Sequence, residues 1–190
     1  MNLFERAIKF VLEHEGGFVN DPLDPGGATN AGISLRFLRR AGDVDRNDDG
    51  IADFDLDGDG DIDAADVESL TLAQIKALYR ENFWDKLDYE RLPDFIAIKL
   101  FDLSVNMGPR AAHKILQRTL RGFDSDIVVD GIIGPQTLDV LNWVEKKLGP
   151  GCLQKEISAA AEVYYVQLTQ RRPVLSRYLD GWVRRANAWA

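Results

Sequence analysis

The sequence predicts a mainly helical chain of the α+β kind, with a small β or loop element after its first helix and one acidic insertion. Three observations carry this. Apolar side chains recur at three- and four-residue spacing through most of the 190 residues. The stretch from Phe18 to Ile33, FVNDPLDPGGATNAGI, instead concentrates Pro, Gly, Asn and Asp, the residues of irregular turns and short hairpins. Residues 43–68, DVDRNDDGIADFDLDGDGDIDAADVE, set twelve carboxylates against a single arginine. With 45% apolar residues the chain can build a real core. The expected organisation is one compact unit, in which residues 1–92 hold the insertion and a helical part, 93–190, packs on them.

The opening helix is signalled by Asn2 with Glu5 three residues on, and by Phe4, Ala7, Ile8, Val11 and Leu12 on one face until Gly16 and Gly17 stop it. A second helix is expected over Ser34 to Arg40. Beyond the acidic block a short helix opens near Asp63 to Glu68, and Leu72, Ile75, Leu78 and Tyr79 mark another that runs into Phe83 and Trp84. Pro93 opens a helix through Ile96, Ala97, Leu100, Phe101 and Ser104, so apolar that it must be central. Gly108 and Pro109 end it, and Ala112, Ile115, Leu116 and Leu120 form the next, closed at Gly122. The turn FDSDIVVDGIIGPQT then places Pro135 at the first position of a helix carrying Leu138, Leu141, Val144 and Leu148. Gly149, Pro150 and Gly151 break that helix. A long one follows from Leu153 to about Arg171, stopped by Pro173, and a last one holds Leu175, Tyr178, Leu179, Trp182, Val183 and Ala186. Trp84, Trp182 and Trp189 sit at helical spacing among apolar residues, so core packing is their expected role.

So dense a block of carboxylates needs cations to fold, and its spacing names the cation. Asp55, Asp57, Asp59, Gly60, Asp61, Ile62 and Asp66 occupy positions 1, 3, 5, 6, 7, 8 and 12 of an EF-hand-type calcium loop, with hard oxygen ligands and a glycine at the sharp turn. A weaker loop is read from Asp45, Asn47, Asp49, Gly50 and the Ile51 carbonyl. Its twelfth position is Leu56, so Asp53 or Asp55 would complete the shell. The two glycines lie too close in sequence for the helix that separates the loops of a paired EF-hand or a dockerin. The expectation is a compact structural staple holding one or two Ca2+ ions. The alternative is a solvated acidic linker.

This block carries -11 of a whole-chain charge of -8, which leaves +3 for the rest. The tail, with Arg171, Arg172, Arg177, Arg184 and Arg185, suits an anionic polymer such as cell wall or nucleic acid, or is a solvated helix face. Cys152 is the only cysteine, which excludes an intrachain disulfide. The first residues lack the uninterrupted apolar core of a signal peptide, and no stretch approaches the ~20 apolar residues of a membrane span. The chain is therefore expected to be made in the cytoplasm, without stable membrane insertion, and to need help for any export.

Two glutamates near the end of the first helix differ by face. Glu5, Lys9 and Glu13 share a polar stripe, whereas Glu15 extends the row of Phe4, Ile8 and Val11 that must face the core. Partial burial and the helix C-terminus both disfavour charge on Glu15, which suits a general acid that must keep its proton near neutral pH. A structural glutamate binding loop N–H groups is the other reading. Asp24, nine residues on, stands in a polar Gly-rich loop where it stays ionised, and Thr29 follows. A neutral glutamic acid with an ionised aspartate is the pairing glycoside hydrolysis uses, although an aspartate before proline also commonly shapes a turn.

The segment HEGGFVNDPLDPGGATNAGIS, residues 14 to 34, closely resembles the N-terminal signature of glycoside hydrolase family 108, the N-acetylmuramidases of phage endolysins and bacterial relatives. The interval from Glu15 to Asp24 also matches that of T-even-type phage lysozymes, with the threonine one residue earlier than in those enzymes. The resemblance continues through NFWDKL at 82 to 87, AIKLFDLSVNMGPRAAHKILQRTL at 97 to 120, DGIIGPQT at 130 to 137 and RRPVLSRYLDGWVRRAN at the end. The later blocks look like a peptidoglycan-binding region. What the resemblance implies is a lysozyme-like fold, Glu15 as catalytic acid, Asp24 and Thr29 beside it, and the β-1,4 bond between N-acetylmuramic acid and N-acetylglucosamine as substrate.

The expected protein is thus a monomeric endolysin that reaches peptidoglycan in the periplasm or cell wall after the membrane is breached, with no nucleic-acid partner. A noncatalytic peptidoglycan-binding module, a lytic transglycosylase and a calcium-dependent adaptor are the rivals. Asp102 and Asn106, one helical turn apart, either line a saccharide cleft or form a core hydrogen-bond network. His14 and His113 show no metal spacing and are expected at the surface.

Overall fold

The computed structural model describes residues 1–21, 26–42, 45, 48 and 50–189; Asp24, Asn47 and Asp49 lie outside the described residues. The chain divides into two units, Val11–Lys86 and a discontinuous one made of Met1–Phe10 with Leu87–Ala190. Most described residues are helical, and the one sheet found among them has two strands, as expected of the predicted class.

The helix α1 spans Leu3–His14, and its start is held as the sequence predicts, with the Glu5 N–H donating to Asn2 Oδ1 at 2.8 Å. In the unit Val11–Lys86, the strands β1 (Thr29–Asn30) and β2 (Ile33–Ser34) pair antiparallel, Thr29 opposite Ser34 and Asn30 opposite Ile33. The two-residue turn has positive φ at both positions, 46° at Ala31 and 81° at Gly32, the type I′ geometry that matches the twist of a hairpin. An alanine in that region costs about 1–2 kcal/mol. Val19 and Thr29 exchange two backbone bonds of 2.8 Å and tie the preceding loop to β1.

The helix α2 runs Leu35–Gly42, and Ser34 Oγ accepts the Phe37 N–H at its start. Helix α3, Ala64–Ser69, opens on a reciprocal box: the Ala65 N–H donates to Asp63 Oδ1 and the Asp63 N–H to Asp66 Oδ2. Thr71 and Gln74 make the same device for α4, Leu72–Tyr79. The chain then continues as a π-helical stretch, Arg80–Asp85, with Trp84 buried. Tyr79, Phe83 and Phe37 form a run of ring contacts at 5.8 and 6.1 Å.

In the other unit, α5 (Asp94–Met107) is buried continuously from Ile96 to Ser104, the central helix its composition predicts. It lies beside α6 (Pro109–Leu120), followed by α7 (Pro135–Leu148), α8 (Gln154–Arg171), a 3-10 stretch Pro173–Tyr178 and α9 (Leu179–Asn187). Phe101 meets Phe4 and Tyr89 at ring distances of 6.2 and 6.3 Å. Trp182 stacks on Tyr165 at 5.1 Å.

Two polar networks are buried here. Asp102 accepts from Arg185 Nε at 2.8 Å and lies 3.8 Å from Lys99 Nζ, while Lys99 donates to the Arg185 and Ala188 carbonyls at 2.8 Å. Of the two readings of Asp102, the core network is the one found. Burial pulls Lys99 down to about 8, and Asp102 opposes that shift. Asn106 accepts from the Tyr165 hydroxyl.

The second network corrects the surface placement of His113, which is buried. The Gly131 carbonyl, 3.0 Å away, can only accept, so His113 Nδ1 carries the proton. Nε2 then accepts from the Tyr89 hydroxyl at 2.8 Å, and Tyr89 accepts from Ser104. Gln117 completes the clamp: its Nε2 donates to Asp130 Oδ1 and the Ile132 carbonyl, and its Oε1 accepts the Gly131 N–H. A side chain at Gly131 (φ 88°) would strike Arg110 at 2.7 Å.

Candidate active site and carboxylate loop

Glu15 follows the last residue of α1, half-buried, while Glu13 is exposed, as the helix-face reading requires. The hairpin turn lies against it. The Ala31 N–H donates to the Gly16 carbonyl at 3.1 Å, and the Tyr79 hydroxyl donates to the Ala31 carbonyl at 3.0 Å. A Cβ built on Gly32 would fall 2.8 Å from Glu15 Oε2 and 2.3 Å from the Tyr79 hydroxyl. Glycine is thus demanded twice, by its backbone angle and by the carboxyl and phenol that fill the space. Thr29, on β1 of the same hairpin, is half-buried and its Oγ1 lies 3.4 Å from the Gly27 carbonyl.

Tyr79 is the member of this cluster that sequence reasoning missed. Its signal was available in general form, since a tyrosine on a buried helix stripe must find a partner for its hydroxyl. What the pattern did not give is a partner 48 residues away.

The later part of the insertion is tied to the rest of its unit by two side-chain bonds. Arg39 Nε on α2 donates to the Ile62 carbonyl at 2.6 Å, and Asn30 Nδ2 on β1 donates to the Val67 carbonyl on α3 at 3.0 Å. Within it, the carboxylates of Asp55, Asp57 and Asp59 come together, as do those of Asp61, Asp63 and Asp66, each trio with ligand oxygens within 4.8 Å of one another. Asp55 accepts from the N–H groups of Gly58, Asp59 and Gly60. Asp66 is buried and spans the loop, accepting from Leu56 and Asp63. The Gly60 N–H reaches Asp55 Oδ2 at 2.9 Å and the Gly50 N–H reaches Asp45 Oδ2 at 2.7 Å, so both loops close with the same five-residue bond. Desolvation, then the carboxylates of Asp59, Asp66 and Asp55, push the Asp57 carboxyl above its ordinary value against the Asp59 N–H. Ile51 is exposed beside this second turn.

A half-buried carboxyl beside a short hairpin, on a mainly helical body, is the arrangement of a lysozyme-type glycosidase. The comparisons make this specific. Residues 8–108 match the family described as glycosyl hydrolase 108, and residues 111–187 match a predicted peptidoglycan domain. A solved structure, that of Brucella abortus SagA, superposes with a TM-score of 0.69 at 28% identity, covering 96% of this chain and 88% of that one. No curated protein matches in sequence. The chain belongs to the glycosyl hydrolase 108 family. It is a glycoside hydrolase, an N-acetylmuramidase acting on peptidoglycan.

Proposed function

We propose that Glu15 is the general acid of this muramidase. The observation that carries the assignment is its carboxyl, half-buried at the end of α1 and set against the hairpin turn and the Tyr79 hydroxyl. In the reaction Glu15 gives its proton to the glycosidic oxygen as the C1–O bond breaks, so the sugar leaves as a neutral alcohol. Water captures the positive C1 centre, one of its protons passes to solvent, from which the Glu15 carboxylate is reprotonated, and a reducing muramic end results. Asp24 and Thr29 are read as the groups that stabilise that centre and orient the water, a role that suits a carboxylate kept ionised in a polar loop. Capture by the muramic 6-hydroxyl would instead give an anhydro-sugar, the transglycosylase outcome. Mass spectrometry of muropeptides released from purified peptidoglycan separates the two: reducing muramic ends are expected, and anhydromuramic ends would overturn hydrolysis.

The insertion is read as a structural calcium staple. The donor set is oxygen only, which suits a hard ion. Asp55, Asp57, Asp59, Asp61 and Asp66 would hold one Ca2+, and Asp45, Asn47, Asp49 and Ile51 a second. The ion supplies charge neutralisation, and the bond from Asn30 to α3 passes that order to the hairpin beside Glu15. The enzyme is further read as a monomeric phage-type endolysin that meets the wall after membrane breach, without a nucleic-acid partner. No described helix is long and apolar enough to cross a membrane.

A further inference from the structure

Helix α7 buries Leu141 and Val144, yet on another stripe it exposes Trp143, 52% accessible, one turn after the exposed Asp139. Phe123, 41% accessible, and Asp124 stand opposite, on the turn that follows α6. That turn is firmly built: the Phe123 and Asp124 N–H groups donate to the Leu120 carbonyl, the Asp126 N–H to Asp124 Oδ1, and Ile127 is buried. With Val140 these four residues line a cleft of about 330 Å³, near the lower end of the roughly 300–1,000 Å³ of ligand sites. That is room for a ring, not a chain. Two large aromatics left accessible around one cleft mark a contact surface, since the fold gains nothing by exposing them.

We propose that this cleft is a sugar platform that takes an N-acetylglucosamine ring of the glycan strand, and it rests on the peptidoglycan reading above. A pyranose ring has an apolar C–H face, which suits the indole and phenyl floor, and a rim of hydroxyls and an amide N–H. The carboxylates of Asp124 and Asp139 accept and do not donate, so they select those rim donors. They also repel the carboxylates of the peptide stem that a muramic acid ring bears on its lactyl group, which leaves the neutral sugar of the pair as the occupant. The platform contains neither Glu15 nor Thr29, so its work is retention on the wall.

The test uses the full chain carrying Glu15→Gln, so that wall fragments are not cut, sedimented with purified peptidoglycan sacculi. Trp143→Ala in that background is expected to weaken binding about tenfold, the equivalent of ~1.4 kcal/mol, with an unchanged melting temperature; Phe123→Ala is expected to weaken it less. The Trp143 indole N–H resonance should also shift when a soluble N-acetylglucosamine tetramer is titrated in. Equal sacculus binding by Trp143→Ala and its parent, or a resonance that ignores the sugar, would overturn the platform. Failure of the catalytic reading looks different: the wild-type chain would release no muropeptides at all, whatever Trp143→Ala does to binding.

Discussion

The two units solve the same local problem in opposite ways. Each contains an aspartate- and glycine-rich turn leading into a helix. In the unit Leu87 onward, the turn at Asp130 and Gly131 is held by side chains from elsewhere: Gln117 binds Asp130, Gly131 and Ile132, and His113 binds Gly131. The Gln117 amide, then the Ile132 N–H, hold the Asp130 carboxyl below its ordinary value. In the unit Val11–Lys86, the carboxylates of Asp55, Asp59 and Asp66 accept mainly from the loop's own N–H groups, and Asp57 is pushed the other way, by desolvation and then by its neighbouring carboxylates. One turn takes its order from the core. The other gathers its carboxylates on its own backbone N–H groups and beside one another. The candidate catalytic carboxyl, Glu15, belongs to the same unit as the self-bonded loop.

The sharpest test of that division is Glu15→Gln, which keeps the packing but cannot deliver a proton. Lysis of cell walls is expected to fall by roughly 10²–10⁴, the usual share of general acid catalysis, with little change in melting temperature, while Glu13→Gln stays near wild type. Equal damage from both substitutions would break the helix-face argument. Next in size is calcium. A chelator, or Asp57→Ala with Asp59→Ala, should lower stability by about 2.7 kcal/mol per site relative to an ion at 100 times its dissociation constant, roughly 5–10 °C in a chain of this size. Lysis should weaken in parallel, millimolar calcium should restore both for the native chain, and magnesium should substitute poorly. Identical calorimetric transitions with and without calcium would make the insertion a solvated acidic loop.

Gln117→Leu probes the other side, since it strands the buried Gly131 N–H. A loss of about 1–3 kcal/mol is expected, read as a lower melting temperature, with the turnover of a short soluble substrate kept. A tenfold fall in turnover would show that the two kinds of order are not separable. The smallest effect concerns acid. Burial lowers His113 from 6.5, so on acidification the unfolded chain takes up the proton first, and the contribution of this site to stability falls as pH drops below 6.5. Thermal melts between pH 7 and 5 should show this slope in the wild type and a flatter one in His113→Gln.

Much of this was legible in the sequence, and what was not has a common cause. Periodicity located the helices and put Glu15 on the inward face, because both are repeats within a few residues. Pro135 and Asp63 announced their helix starts for the same reason. The sequence of this stretch leaves a loop or a small hairpin open and does not place the turn, since Ala31-Gly32 is not the Asn-Gly signal that a type I′ turn usually displays. His113 was placed at the surface because its partners, Tyr89 and Gly131, stand 24 and 18 residues away. Trp143 went unremarked because the core stripe of its helix omits it. That omission was itself the signal.

The discontinuity of the helical unit also has a bearing on how the chain is made. Its first piece, Met1–Phe10, leaves the ribosome before Val11–Lys86, and its remainder after. At about 5–20 residues per second the last ~100 residues occupy roughly 5–20 s of synthesis. Lys99 and Asp102 emerge well before Arg185 and Ala188, the residues that supply their hydrogen bonds. Until then, closing this core would strand two charges, so its assembly waits on the final helix.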